Sequence, residues 1–321
     1  MTATEKIKQR ALALGFSRVG IAKAERLDAE AVRLEAWLRQ GRHGEMTYMQ
    51  ENFEKRVDPS ALIPNAKSII SVIGIYSLPI LGAVNEVVDG ESEFEKPTGK
   101  ISAYAARLDY HTVMKGKLQT LFQFVCETVG EVNGRAFVDS APMLDKAWAQ
   151  RAGLGWIGKH SNLLNRTLGS AFFIGSLVLD AVLEYDAPYL NNYCGDCTAC
   201  IDLCPTEAIT EPYQVDARKC ISYLTIELKR NFTEEESNMV GEWLFGCDIC
   251  QQVCPWNRFA ATASMNGLET LSRIENVRED EILEMTTGAF KRIFAETPVH
   301  RTGLRRLKRN AEAVKRNGRR S

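Results

Sequence analysis

The chain has 321 residues, with 40 Lys+Arg against 41 Asp+Glu, 45% hydrophobic and 25% charged. That composition is globular and excludes a disordered or low-complexity chain. The length suits about two domains with a substantial core. The near-zero net charge hides an asymmetry. Residues 301–321 carry nine Lys+Arg and one acid, Glu312, so this tail is +8 and the remainder −9. A basic tail on an acidic body predicts a polyanionic partner. The most apolar run, 171–183, is broken by Asp180 and falls short of the roughly twenty residues that cross a membrane. The N-terminus shows neither an apolar leader core nor a twin-arginine pair. The sequence therefore reads as a cytoplasmic monomer.

In chain order, residues 2–14 have amphipathic helical spacing, with Ile7, Ala11 and Leu14 on one face and Gly15 as C-cap. Residues 16–22 predict a strand, and 28–40 a helix stopped by Gly41. The apolar, β-branched run 67–76 predicts a buried strand. Residues 82–99, acidic with Gly82, Gly90 and Pro97, predict an exposed loop. A long helix follows over 110–129, with Cys126 inside it. Residues 135–140 predict a strand ending in the polar pair Asp139–Ser140. The next helix has Ser140 as N-cap, Pro142 in its first turn and Gly153 at its end. Residues 171–180 form another apolar strand. This alternation predicts a helix-flanked mixed sheet. From Asn191 the texture changes to cysteine, proline and short loops, which marks a domain boundary. Residues 303–317 return to helical spacing, with Leu304, Leu307, Ala311 and Val314 on one stripe.

Eight of the nine cysteines lie between Cys194 and Cys254. In a reducing compartment such clustering points to metal or iron–sulfur ligation, not disulfides. The first run, Cys194, Cys197, Cys200 and Cys204 before Pro205, has the bacterial ferredoxin spacing C-x₂-C-x₂-C-x₃-C-P, whose fourth cysteine ligates the other cluster. The second run, Cys247, Cys250 and Cys254 before Pro255, repeats it, with Cys220 displaced by the 26-residue insertion 221–246. Exchanging the fourth ligands gives two sets. Cys194, Cys197, Cys200 and Cys254 bind one [4Fe–4S] cluster, and Cys204, Cys220, Cys247 and Cys250 the other. Structural zinc also uses C-x₂-C pairs, but needs neither the third cysteine nor the two C-x₃-C-P endings. A ferredoxin alone would need only the span 194–254, so the long N-terminal part must bind something else.

The stretches EKRVDPSALIPNAKSII, DYH, VDSAPMLDKAWAQRAGLGWIGKHSNLL, GSAFFIGSL, CGDCTACIDLCPTEAI, KCISYLTIELK and LFGCDICQQVCPWN run in order along residues 54–257. Together they resemble the epoxyqueuosine reductase family of tRNA-modification enzymes, similar in core to reductive dehalogenases. The resemblance implies an α+β chain. A helix-flanked mixed sheet, residues 1–187, binds cobalamin. A bacterial two-[4Fe–4S] ferredoxin-like domain covers 188–262, and a C-terminal helical segment with its basic tail covers 263–321. It implies reduction of the epoxyqueuosine epoxide in the tRNA anticodon to the alkene of queuosine. An external low-potential donor supplies the electrons. Its catalytic acid maps onto Asp139. Its cobalamin pocket maps onto Arg56, Ser102, Asp139, Leu163, Ile174, Ser222 and the Cys247–Asp248 turn. Longer relatives continue into a helical-repeat segment that this chain lacks.

Residue by residue, a carboxyl group desolvated beneath a corrin would have a raised pKa, which suits Asp139 as proton donor. The plain alternative is that Asp139 or Ser140 caps a helix. The Asp-x-His-x-x-Gly cobalamin motif is not present, since Met114 stands where its glycine would be. His111 is accordingly read as a packed polar residue at a helix start. His160 lies near the pocket or plays a structural hydrogen-bonding part. Arg56 contacts the corrin or is a solvated charge. The insertion 221–246 is assigned to the anticodon loop, with Thr225 and Lys229 among its contacts. Trp156 and Trp243 stack on bases or fill the core. The tail 301–321 meets the tRNA backbone or frays. Two other function classes remain open, a reductive dehalogenase acting on a small molecule and a non-catalytic electron-transfer module.

Overall fold

Strand β2 (Ser68–Ile75) is buried along nearly its whole length, because helices cover both faces of its sheet. Neighbouring it are β1 (Arg18–Lys23) and β4 (Phe172–Leu179), and β3 (Gly134–Phe137) lies outside β4, giving the order β1-β2-β4-β3. Side chains alternate between faces along a strand. Ile70 and Val72 therefore enter one core, with Ile7 of α1 (Ala3–Ala13) and Leu118 of α3 (Tyr110–Val129). Ile69 and Ile73 enter the other, with Leu34 of α2 (Asp28–Arg39) and Trp148 of α4 (Asp145–Arg151). Thr2 gives α1 a complete capping box, worth about 1 kcal/mol. Burying Ile7 contributes roughly twice that, so the core, more than the cap, fixes α1 to the sheet.

The computed structural model describes residues 1–79, 99–259 and 264–319, so the acidic loop expected over 82–99 lies outside them but for Gly99. The α+β class stands. The sheet, however, is antiparallel at every pairing and not mixed. Among the described residues the parallel pairing is that of Lys100–Ile101 with β5 (Trp243–Phe245). The run 67–76 is the buried strand expected, and its apolar sequence does not reveal direction, because a strand covered on both faces is apolar whichever way its neighbours run.

A third core joins the insertion to the C-terminus. Leu224 of α6 (Ile221–Ile226) and Leu244 of β5 pack with Leu307, Ala311 and Val314 of α8 (Gly303–Gly318). The stripe expected on α8 is therefore buried, and the frayed-tail alternative fails over the described residues. Arg309 is buried too. Its guanidinium donates to the carbonyls of Leu224, Leu228 and Arg230 and lies 3.9 Å over the Phe232 ring. Asn310, fully buried, donates to Thr225 O at 2.8 Å and Leu244 O at 2.9 Å. Part of the tail's basic character is thus internal, and Arg305, Arg316 and Arg319 are among the exposed cations. No helix among the described residues is long and apolar enough to cross a membrane.

Candidate active site and cluster half-sites

Two short helices, α5 (Ala199–Asp202) and α7 (Ile249–Gln252), pack together, and each carries a cysteine run. Cys194, Cys197, Cys200 and Cys254 ring a cavity of about 220 Å³, also lined by Lys159, His160 and Trp256. Lys159 Nζ donates to Gly195 O at 2.7 Å and Cys197 O at 2.9 Å, which pins the loop. Burial, then the neighbouring thiols of Cys254, Cys194 and Cys197, pushes Cys200 up to about 11. In the second set burial pushes Cys247 up to about 12, with Cys220 and Cys204 as its thiol neighbours. Cys250 is raised by burial and then by Cys247 and Cys220. Four crowded thiols repel one another as thiolates, and a positively charged iron–sulfur core removes that repulsion. The residues present therefore fit two clusters with crossed fourth ligands. Cys250 also lies within electrostatic reach of Cys200, so the two half-sites adjoin.

Asp139 follows β3, and its backbone adopts φ +51°, a conformation that costs a non-glycine residue energy and clusters at functional sites. The helix expected from Ser140 begins only at Asp145, with Leu144 at its N-cap position. Neither Asp139 nor Ser140 caps it, so the plain alternative is removed. The Tyr110 hydroxyl donates to Asp139 Oδ2, and His111 Nε2 lies 3.5 Å from the same oxygen. Burial pushes the Asp139 carboxyl up, but hydrogen bonds from His111 and Tyr110 outweigh it and leave the pKa below the ordinary value. The raised pKa expected from the sequence was that of this carboxyl desolvated beneath a corrin, whereas the protein's own contacts act in the other direction. Burial lowers His111, while Asp109 and Asp139 raise it further, so the net shift is upward. His111 Nδ1 is 2.8 Å from Asp109 Oδ1, and Arg301 reaches both Asp109 and His111 Nε2.

The Asp139 side chain is 64% exposed, yet Tyr48, Tyr104, Glu227, Asp145 and Lys146 all feel its charge. It therefore lines an open cleft. Burial, then Asp139, pushes Asp145 up to about 8. Lys146, exposed and donating to Ser161 O at 2.8 Å, feels the charge of both Asp139 and Cys250, so the second half-site lies within electrostatic reach of the groups around Asp139. Sequence reading missed Tyr110, Asp145, Lys146 and Glu227, and the pairing of His111. Their one signal was that Tyr110 and His111 stand in the DYH stretch, and Asp145 and Lys146 in the stretch that begins VDS.

The expected pocket residues divide. Arg56 is buried and not a solvated charge, and its guanidinium donates to Tyr48 O at 3.0 Å. Arg56 Nε and Asp145 Oδ1 are buried without a hydrogen-bond partner among the described residues. Ser102 and Asp248 are buried and bonded to each other, and Ala103 N–H donates to Asp248 at 2.7 Å. Their side chains join the two halves and are not free for a ligand. Gly246, at φ +70°, makes this joint possible, since a Cβ there would meet Ser102 Cβ at 2.5 Å. Leu163 is buried in the second core, Ile174 is partly buried against it, and Ser222 is half-buried. Thr225 is fully buried, its hydroxyl donating to Ile221 O and accepting from Gly246 N–H. That corrects its assignment as a tRNA contact, because a side chain enclosed by its own helix and β5 cannot meet RNA. Lys229 is exposed. Trp156 and Trp243 are both buried core aromatics.

The family described as "Epoxyqueuosine reductase QueG, DUF1730" matches residues 56–140, and the "4Fe-4S double cluster binding domain" matches 193–257. The epoxyqueuosine reductase of Cellulophaga algicola is 48% identical over 97% of this chain and 98% of its own length. That of Escherichia coli is 39% identical over 95% of this chain and 79% of its own. The chain thus spans nearly all of the first relative's length and about four fifths of the second's. A crystal structure of epoxyqueuosine reductase with an epoxyqueuosine-modified tRNA-Tyr stem loop is 28% identical, with a TM-score of 0.87 over 98% of this chain and 80% of that one. Residue pattern, cysteine geometry and full-length similarity agree, and this chain belongs to the epoxyqueuosine reductase family.

Proposed function

We propose that this protein reduces the epoxide of epoxyqueuosine, carried in a tRNA anticodon, to the alkene of queuosine, with cobalamin seated in the cleft over Asp139. The observation that supports this is that the Asp139 carboxyl and the Cys250 thiol both act on Lys146, as a proton-handling carboxylate near an electron-carrying half-site would. The partnerless Arg56 Nε and Asp145 Oδ1 fit a large polar ligand. The tRNA stem loop bound to a relative supports the substrate.

Bound there, cobalamin would supply a reducing cobalt, and the clusters that the two cysteine sets would hold would supply single electrons. Removing the epoxide oxygen consumes two electrons and two protons and releases water. Tyr110 fixes Asp139 Oδ2 by donating its hydroxyl proton. Protonated His111 can pass the Nε2 proton to that oxygen, and Asp139 then presents it to the leaving oxygen. Tyr104 and Tyr110, half-buried and buried beside Asp139, keep water from that side of the carboxyl. Cys197, which is exposed, marks the face that an external low-potential donor would approach. Exposed Lys229 and Arg305, which lie together, meet the RNA backbone. The chain acts as a cytoplasmic monomer. A reductive dehalogenase reading has no comparable support, and a purely electron-transferring module leaves the Asp139 cleft without a use.

The test is anaerobic reconstitution with iron, sulfide and cobalamin, followed by nucleoside analysis of tRNA. Conversion of epoxyqueuosine to queuosine is expected. Halide release from an organohalide without tRNA conversion would overturn the reading.

A further inference from the structure

His160 lines the cavity ringed by Cys194, Cys197, Cys200 and Cys254 and is only 4% exposed. Its Nδ1 accepts the Asn162 backbone N–H at 3.1 Å. A nitrogen that accepts a hydrogen bond carries no proton, so the ring's proton lies on Nε2. That Nε2 is buried and has no hydrogen-bond partner among the described residues. A buried N–H left unpaired costs roughly 1–3 kcal/mol, so a native structure retains one where a partner arrives later. Gly158 leaves the ring its place, since a Cβ there would fall 3.0 Å from His160 Cε1. Trp156, whose Nε1 is likewise partnerless, packs with Cys254 on the same side.

We propose that His160 Nε2–H donates a hydrogen bond to a sulfur of the cluster held by Cys194, Cys197, Cys200 and Cys254, and thereby sets that cluster's reduction potential. The inference rests on the cluster placement above. Reduction adds negative charge to the cluster, and an N–H donor to sulfur stabilises the reduced form more than the oxidised one. His160 thus makes the cluster it touches easier to reduce than the same cluster would be without that donor. His160 is a positioning and tuning residue and touches no substrate.

The test is a redox titration of the reconstituted wild type and of His160→Phe, read by electron paramagnetic resonance. Iron and sulfide are counted in each. His160→Phe should weaken reduction of one cluster by about tenfold, about 59 mV for one electron, and leave the other unchanged. His160→Gln, which restores an N–H, should recover part of the shift. Unchanged midpoints in a fully loaded His160→Phe protein would overturn the proposal. If that variant does not load, wild-type protein grown on ¹⁵N-histidine decides: a nitrogen coupling to a reduced cluster supports the bond, and its absence refutes it. Wild-type protein that takes up no iron and sulfide would remove the cluster placement itself, and the proposal with it.

Discussion

His111 Nε2 stands 3.5 Å from Asp139 Oδ2 and 3.2 Å from Arg301 Nη1. The same nitrogen can accept from the guanidinium when the ring is neutral or donate to the carboxylate when it is charged. His111 therefore couples the cleft to residue 301, across 190 positions of sequence.

The pairing has a pH signature in the cofactor-free protein. Asp139 is lowered from 3.8, so its contribution to stability is present above 3.8 and disappears as pH falls through the folded value. His111 is raised from 6.5, so its contribution is present below 6.5 and disappears as pH rises through the folded value. Both operate between 3.8 and 6.5. The urea midpoint of His111→Asn should fall further below wild type at pH 5 than at pH 9, and equal deficits would count against the pairing.

Asp145 has the opposite sense. Its folded pKa of about 8 lies above the ordinary 3.8, so the unfolded chain ionises first and the folded state loses stability as pH rises from about 4 to about 8. Asp145→Asn should flatten that slope. Its gain over wild type at pH 8, relative to pH 4, should be on the order of a few kcal/mol at most. Parallel stability curves would show that the carboxyl is ionised throughout.

The buried polar face of α8 is structural. Asn310→Ala should cost about 1–3 kcal/mol by orphaning the Thr225 and Leu244 carbonyls. Deleting residues after Val299 should unfold the third core and not merely weaken tRNA binding. Alanine at exposed Arg305 or Arg316 should leave thermal stability unchanged and flatten the salt dependence of tRNA binding by about 0.7 for each phosphate that the side chain neutralises. An unaltered salt slope would place the RNA elsewhere.

Gly246→Ala should loosen the joint between the halves, because the new methyl group meets Ser102 at a positive-φ position. A loss of thermal stability of at least about 1 kcal/mol is expected, together with incomplete loading of the cluster that Cys247 ligates. Normal stability and loading would show that the joint can yield there.

The parts legible in the sequence were those dictated locally. Helix α3 spans the predicted residues because Asp109 caps it and its apolar stripe is unbroken. The cysteine ladder was readable because thiolate spacing is itself the chemistry. Chain crossings were not readable. Nothing near Thr225 announces that Asn310 and Gly246 will enclose it, and a run of arginines looks alike whether solvated or, as at Arg309, buried over Phe232. The downward shift at Asp139 also escaped, since it depends on a tyrosine and a histidine brought from the start of another helix.

The most direct measurement is single-turnover conversion by Asp139→Asn, reconstituted with cobalamin and both clusters and given epoxyqueuosine-bearing tRNA. The variant should bind corrinoid, carry eight irons' worth of cluster signal, about the full complement for two cubes, and form almost no queuosine. Near-normal queuosine formation by that loaded variant would contradict proton delivery through Asp139 and return the question to the other acids of the cleft.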